Sequence, residues 1–462
     1  MNYKDFINSK TQNVKPMGFD IDDSRLNKKL TNWQKTVVKW AINRGRAAMF
    51  EECGLGKTFQ QLEFSRLVFE KTNRPVVIHC PLGVRRQTLA EAKKFNIRCC
   101  IAEVNQPEHV VDGINLINYE KLHLFDSSIW GGVVLDESSI LKSFSGTTKK
   151  QLIESYQSTP YRLACTATPA PNDHKELGNH SEFLGVLPSS EMLSRLFIND
   201  TMKAGGYRIK GHAQRDFWNW VSQWAACVAK PSDIGGDDDG YELPKLNVTR
   251  HVVEADENAK LDGLLFNVSG ISATNIHQEK RLTNTARSRK TAELALSTKE
   301  PVLIWCQTDY EADQLKADIP EAVEIRGGTK DKERLLLEFA QGKYRVLITK
   351  PGIAGFGLNY QHCNHMIFAG LSYSFEEYYQ SVRRCWRFGQ LRPVRVDVIV
   401  ADSDSAIESA VARKESDHLL MQSSMVDAVK EYGIGNISSD LKRSVYCAEN
   451  KIQLPNFLRK IK

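Results

Sequence analysis

Glu51-Glu52-Cys53-Gly54-Leu55-Gly56-Lys57-Thr58, preceded by the apolar run Ala47–Phe50 and followed by a stretch of helical composition, decides the fold. Glycines let backbone N–H groups curl around phosphate oxygens, and the helix that follows presents its positive end to the same anion. In such a loop Lys57 reaches the β/γ-phosphates and Thr58 ligates Mg²⁺, with Gly54, Leu55 and Gly56 forming the cradle. The general pattern has a glycine where Glu51 stands, so the loop is a variant form, and alone it matches an ordinary Gly-rich turn.

Outward from the loop, short β-rich runs alternate with longer helical stretches, the pattern of a parallel sheet covered by helices. Strands are expected at Ala47–Phe50, Val76–Cys80, Ile114–Ile117, Val133–Leu135 and Arg162–Cys165. A second series follows at Val302–Cys306, Val323–Ile325, Arg345–Thr349, His365–Phe368 and Val394–Val400. The fold class expected is α/β, with two tandem RecA-like domains, a helical insertion and a C-terminal bracing helix. The boundaries expected are 1–245 for the first lobe, 246–435 for the second and 436–462 for a basic tail. Ligands of open α/β sheets lie beyond the carboxyl ends of the strands, so the chemistry belongs on that edge. Between the two series Phe217, Trp220, Val221 and Trp224 follow helical spacing and read as core rather than as a base-stacking platform. The Gly235–Gly240 run reads as a solvated loop before the linker.

Two further signals bear on chemistry. Asp136-Glu137-Ser138-Ser139 follows the strand Gly132–Leu135, about 80 residues beyond Lys57, a spacing proper to one lobe. A carboxylate at a strand end holds the second side of Mg²⁺ and its neighbour polarises the attacking water, which assigns Asp136 to the metal and Glu137 to the water. Near the other end, Arg384 and Arg387 lie three apart on an expected helix, sharing a face. Guanidinium groups there suit bidentate phosphate contact as arginine fingers. A solvated acidic pair or basic helix would explain either signal in isolation.

Composition sets the outer limits. The 462 residues predict two to three packed domains. No apolar run approaches the ~18 residues needed to span a bilayer, and the N-terminus lacks the apolar segment of a secretory signal. Ten cysteines are scattered without disulfide or zinc spacing, which suits a reducing compartment. A soluble cytoplasmic protein, monomeric or weakly associating and without a membrane partner, is expected. The net charge of +6 permits a polyanionic partner without demonstrating one.

Taken in order, these residues resemble the superfamily-2 helicases, closest to the Swi/Snf-type branch and its compact phage-encoded relatives, from about Leu30 to Arg413. Within that resemblance Trp33-Gln34 looks like the Q motif, implying that Gln34 reads the adenine edge of ATP. Pro81-Leu82 and Asn118-Tyr119-Glu120 resemble the motifs that track one strand's phosphate backbone. Thr166-Ala167-Thr168-Pro169 matches motif III, which couples hydrolysis to lobe movement, and Thr166 and Thr168 are expected near nucleic acid. Gln307 falls at motif IV. In the Gly355-Phe356-Gly357-Leu358-Asn359 run of motif V, Gly357 is expected at the nucleotide, Gly355 and Asn359 at nucleic acid. Lys350 stands near a Ser-Thr position, as a possible charge contact to phosphate, and Arg384 and Arg387 fall on the motif VI arginines. The phage-type relatives share the run 136–143, Gly18-Phe19 and Arg208-Ile209-Lys210-Gly211-His212, whose basic side chains suit a solvated turn better than a nucleic-acid contact.

The resemblance implies an ATP- and Mg²⁺-dependent motor on DNA, duplex, forked or branched, with RNA as an alternative and a static ATP-gated clamp as a further one. His362-Cys363-Asn364-His365 lacks the second ligand pair of a zinc site. The stretch Ala406–Tyr432, carrying Ile407, Val411, Leu419, Leu420, Met425 and Val429, reads as a helix braced against the lobes.

Overall fold

The computed structural model describes residues 14–102, 110–142, 146–200, 206–254, 273–354, 359–401, 404–432 and 434. The glycines expected at 355 and 357 and the basic tail at 436–462 lie outside them.

The chain enters through α1 (Asn32–Arg44), whose start is a capping box between Thr31 and Gln34 and whose end is a left-handed Gly45. The first body continues through β1 (Arg46–Glu51), α2 (Lys57–Thr72), β2 (Val76–Cys80), α3 (Arg85–Lys94), β3 (Cys99–Ile101), β4 (Ile114–Asn118), β5 (Gly132–Asp136), α4 (Thr147–Ser155) and β6 (Tyr161–Cys165). Then come α5 (Leu177–Leu184), α6 (Ser189–Leu196), the hairpin of β7 (Phe197–Asp200) and β8 (Gly206–Ile209), α7 (Gln214–Ser222) and β9 (Ala225–Val228). Among the described residues its sheet runs β3-β4-β2-β5-β6-β1-β9, every pairing parallel.

The second body holds β10 (Leu246–Val253), α8 (Ala273–Leu296), β11 (Val302–Trp305), α9 (Asp309–Asp318), β12 (Val323–Ile325), α10 (Lys332–Ala340), β13 (Val346–Thr349), α11 (Pro351–Ala354), β14 (His365–Phe368), α12 (Phe375–Val382) and β15 (Val394–Ala401). Its sheet order is β10-β15-β14-β11-β13-β12, again parallel throughout. The expected pair of helix-flanked parallel sheets is thus the observed architecture.

Both sheets are buried on two faces, which explains strands that are continuously apolar. Along β1, Ala47 and Met49 join one core, with Val37, Leu62 and Ile78. Ala48 and Phe50 join the other, with Phe183, Phe217 and Trp224. Alternate residues of one strand thus feed opposite layers. The tryptophan segment is core: Phe217, Trp220, Val221 and Trp224 are all buried, and Trp218 joins them edge-on to His174.

The bracing helix exists as α13 (Ser405–Tyr432). Ile407 and Val411 enter the core of the second body, while Met421, Met425, Val426 and Ala428 enter that of the first. Leu419 and Leu420, expected among its packing residues, are instead 55% and 61% exposed, because they fall where the helix passes from one body to the other. Among the described residues no helix is long and apolar enough to cross a membrane.

Candidate active site between the two sheets

Three adjacent strands, β5, β6 and β1, end at one place and set the site. From β1 the chain turns into the glycine loop. Gly54 and Gly56 hold φ of +94° and +87°, values that L side chains rarely adopt. A Cβ on Gly56 would come 2.5 Å from the Gln34 amide nitrogen, so the second glycine is required by close approach as well. Gln34 Nε2 donates to the Leu55 carbonyl at 2.9 Å, and its Oε1 accepts from the Thr31 amide. The structure places this side chain as a support of the loop rather than with its amide open to a base.

Lys57 begins α2, and its ammonium donates to the carbonyl oxygens of Glu51 (2.7 Å) and Glu52 (3.1 Å). Glu51, where the general pattern has glycine, is wholly buried and accepts from Gln60 Nε2 at 2.7 Å. Burial pushes its carboxyl up to about 7 against the pull of Lys57.

At the end of β5, Asp136 accepts from Gln61 Nε2 at 2.8 Å, and Tyr119 donates its hydroxyl to the Asp136 carbonyl at 2.6 Å. Glu137 follows in a left-handed conformation, φ +54°, which turns its side chain back toward the cleft edge of the sheet. Burial raises both carboxyls, most of all by desolvation. The Asp136 charge raises Glu137 further, while Lys57 and Arg384 oppose the shift in each. Buried Asp136 and half-buried Glu137 follow one another at the strand end, carboxylate oxygens of the kind that Mg²⁺ takes. With Thr58 at the head of α2, the residues fit Mg²⁺.

The second body closes the site with the turn after α12. The expectation of Arg384 and Arg387 on one helix needs correction, because α12 ends at Val382 and the arginines occupy the turns beyond it. The Arg384 carbonyl accepts from the Tyr360 amide at 2.9 Å, a tertiary bond in place of a helical one. Both arginines still approach the first body. A Cβ on Gly54 would lie 3.6 Å from an Arg387 nitrogen and 3.0 Å from the Phe388 ring. Desolvation, with Arg384 beside it, lowers the Arg387 guanidinium to about 10. Arg384 donates to the Gln380 carbonyl and side chain, each at 3.2 Å.

The residues expected to meet nucleic acid divide into two groups. Thr166 and Thr168 are fully buried: Thr166 donates to Glu137 at 3.4 Å and Thr168 to Glu376 at 3.5 Å. Asn359 accepts a short hydrogen bond from Arg387. Thr166 and Thr168, just beyond β6, are turned from solvent into the cleft, while Asn359 is half-buried and reaches the site through Arg387. Asn118 is buried too, donating to Glu120 at 3.3 Å, and Tyr119 is held by Asp136 as described. On the open edge remain Pro81 and Leu82 after β2, the latter 45% exposed, and Gln307 and Lys350 after the paired strands β11 and β13. Lys350 pairs with Asp309 at 2.8 Å on the wall of an open cavity of about 670 Å³ that also contains Arg326 and Gly327-Gly328. In the basic run 208–212, Lys210 instead caps α6, donating to the carbonyls of Ser194 (3.1 Å) and Arg195 (2.7 Å).

Several site residues escaped the sequence reading. Arg383 pairs with Glu52 across the cleft at 3.1 Å, and Lys142 with Glu376 at 2.5 Å. A consecutive Arg383-Arg384 offered a signal for the first; nothing local marks the second.

A phosphate loop, an acid pair and arginines from a second parallel sheet, met in one cleft, define a helicase-like ATPase. Sequence comparison agrees. An SNF2-related domain matches residues 33–201 and a helicase conserved C-terminal domain residues 286–389. The uncharacterized ATP-dependent helicase YqhH of Bacillus subtilis is 31% identical over 420 residues, covering 79% of this chain and 73% of that protein. The chain belongs to the SNF2-related helicase family of ATP-hydrolysing enzymes. The DNA annealing helicase and endonuclease ZRANB3 of Homo sapiens is 28% identical over 174 residues, 34% of this chain, which spans only 16% of that protein's length. A Sulfolobus solfataricus SWI2/SNF2 ATPase core in complex with dsDNA is similar over 89% of this chain and 96% of that one, with TM-score 0.43 and 18% identity.

Proposed function

We propose that the protein is a DNA-directed translocase in which ATP·Mg²⁺ is held on the first lobe, residues 1–245, and the second, 246–435, completes the site. The carrying observation is that Arg387 lies against the loop at Gly54 while Arg384 acts electrostatically on Asp136 and Glu137. Groups from both halves of the chain therefore share one charge environment.

In this reading Lys57 leaves the carbonyls of Glu51 and Glu52 for the β/γ-phosphates, and Gly54, Leu55 and Gly56 present backbone N–H groups to the same anion. Thr58 and Asp136 hold Mg²⁺, which when bound neutralises charge between the phosphates. Glu137 orients the water: its oxygen bonds to the γ-phosphorus as the bond to the bridging oxygen breaks, ADP leaves with that electron pair, and the water's proton passes to solvent. Arg384 and Arg387 stabilise the charge that develops, which makes closure of the lobes depend on nucleotide. Gln307, Lys350 and Arg326 on the second lobe, with Pro81 and Leu82 on the first, lie on the open strand edges suited to a phosphate backbone. DNA is favoured over RNA because a relative named for its substrate, ZRANB3, is named a DNA annealing helicase.

Comparing ATPase stimulation by duplex, forked and single-stranded DNA and by RNA, alongside displacement of a third strand from duplex DNA, tests the proposal. Stimulation by duplex DNA with third-strand displacement is the expected result. Stimulation by RNA alone would replace the substrate, and ATPase without displacement would indicate a clamp.

A further inference from the structure

Phosphate binding uses the glycines, Lys57 and Thr58, and leaves the Glu52 side chain without an assignment. That carboxylate is buried, yet four donors converge on it from three separate parts of the chain. Oε1 accepts from the Cys53 amide at 2.6 Å and pairs with Arg383 at 3.1 Å. Oε2 accepts from the Tyr379 hydroxyl at 2.5 Å and from Gln422 Nε2 on α13 at 3.3 Å. Burial alone would raise this carboxyl. Arg383, the Tyr379 hydroxyl and the Cys53 amide outweigh burial and hold it at about 2, fully charged.

Its main partner is equally enclosed. Arg383 is 2% exposed, 4.9 Å from the Trp386 ring and 5.9 Å from that of Tyr379, and donates to the Cys53 carbonyl at 3.3 Å. Arg383 immediately precedes Arg384 and stands four residues before Arg387. The turn bearing the two arginines lies beyond the end of α12 and is held by the Trp386 amide on the Val382 carbonyl, the Tyr360 amide on the Arg384 carbonyl and Arg384 on the Gln380 carbonyl. Arg383 ties that turn directly to the phosphate loop, through the Glu52 carboxylate and the Cys53 carbonyl, and so helps set where the other two guanidiniums stand relative to the loop.

We propose that Glu52 is a positioning residue of the ATPase reaction, acting through Arg383 to hold the Arg384–Arg387 turn against the phosphate loop. The proposal rests on the function proposed above and deepens it. Pairing through the loop's own backbone explains why an acidic residue, rather than any small one, stands two places before Gly54: it binds the cradle to the arginines as one unit.

The test is steady-state ATPase kinetics on Glu52→Gln, Arg383→Gln, the double variant and Glu137→Gln, each checked for folding by thermal melting. Displacing reacting groups by about 1 Å costs roughly 10²-fold. Glu52→Gln, which keeps size and an acceptor oxygen, is therefore expected to lower kcat by about that factor. Its KM for ATP should stay within about threefold, because the cradle is untouched. The double variant is expected to be no slower than the worse single variant. Normal kcat in Glu52→Gln, a loss confined to KM, or multiplying effects in the double variant would overturn the proposal. Should Glu52→Gln not fold, Tyr379→Phe removes one donor to the same carboxylate. It is expected to lower kcat with KM steady, and wild-type kcat there would also overturn the idea. Persistent turnover by Glu137→Gln would sink the underlying reading instead, whatever Glu52 does.

Discussion

The two sheets are built alike, yet the edges at which their strands end have opposite characters. On the first, β1, β6 and β5 deliver a glycine loop, Thr166 and an acid pair into a largely buried cleft where Lys57, Asp136 and Thr166 are each hydrogen-bonded. On the second, β11 and β13 deliver Gln307 and Lys350 to an open edge whose cations are paired with carboxylates, Lys350 with Asp309 and Arg326 with Glu324 and Asp313, and the arginines of the site come from a turn after a helix, not from a strand end. In the proposed reading one scaffold carries chemistry in one copy and grip in the other. The arginines are the part of the second copy that crosses over.

The sharpest way to break this comparison is Arg387→Ala. An arginine finger is worth about 10³-fold or more in turnover, so single-turnover hydrolysis should fall by that factor while equilibrium ATP binding stays largely intact. An unchanged rate would return the second copy to grip alone. Glu137→Gln should bind ATP and cost between about 10² and 10⁴-fold in hydrolysis, measured by phosphate release.

A smaller effect separates the back of the second sheet from its working edge. Asp397 is buried between His251 and His365, 2.7 Å from each, and Arg395 at 2.6 Å. Burial would raise its carboxyl, but the bonds from His365, His251 and Arg395 prevail and hold it at about 2, below its ordinary 3.8. A depressed carboxyl contributes stability that is present above the unfolded value and lost as pH falls through the folded one. Melting temperature should therefore drop between about pH 4 and pH 2, with a flatter acid limb in Asp397→Asn. An identical acid limb in that variant would count against the assignment. The smallest effect expected is from Lys350→Ala: DNA affinity weakened almost uniformly across sequences, with the salt slope reduced by about 1. No change in the slope would remove Lys350 from the gripping edge.

What the sequence disclosed depended on how local the determinant was. The glycine loop, the acid pair and the buried central strands are written in contiguous residues, and they stand where expected. Ala225–Val228 follows the tryptophan helix as a run of small residues without alternation; it becomes a strand only because β1 lies beside it. Leu246–Val253 is not among the strands that the sequence predicts, because it lacks the continuous apolar run of the central strands; it is an edge strand, mostly exposed, paired with β15. Helical periodicity ran on past Val382 into the arginines because nothing in that stretch breaks a helix; the break comes from Tyr360, which takes the Arg384 carbonyl from far along the chain. Glu52 and Glu376 were unreadable for the same reason, their partners being 331 and 234 positions away in Arg383 and Lys142.

Embedding one 28-residue helix in both cores has a mechanical consequence. At 1.5 Å per residue α13 is about 42 Å long, a leaf spring clamped at each end to a body that has to swing. Where it grips the first body its buried residues include Met421 and Met425, unbranched thioethers that can refill a gap after a small slide, beside Val426, Ala428 and Val429. In the proposed motor, two yielding side chains at that seat would let the helix bend with a stroke while staying in place.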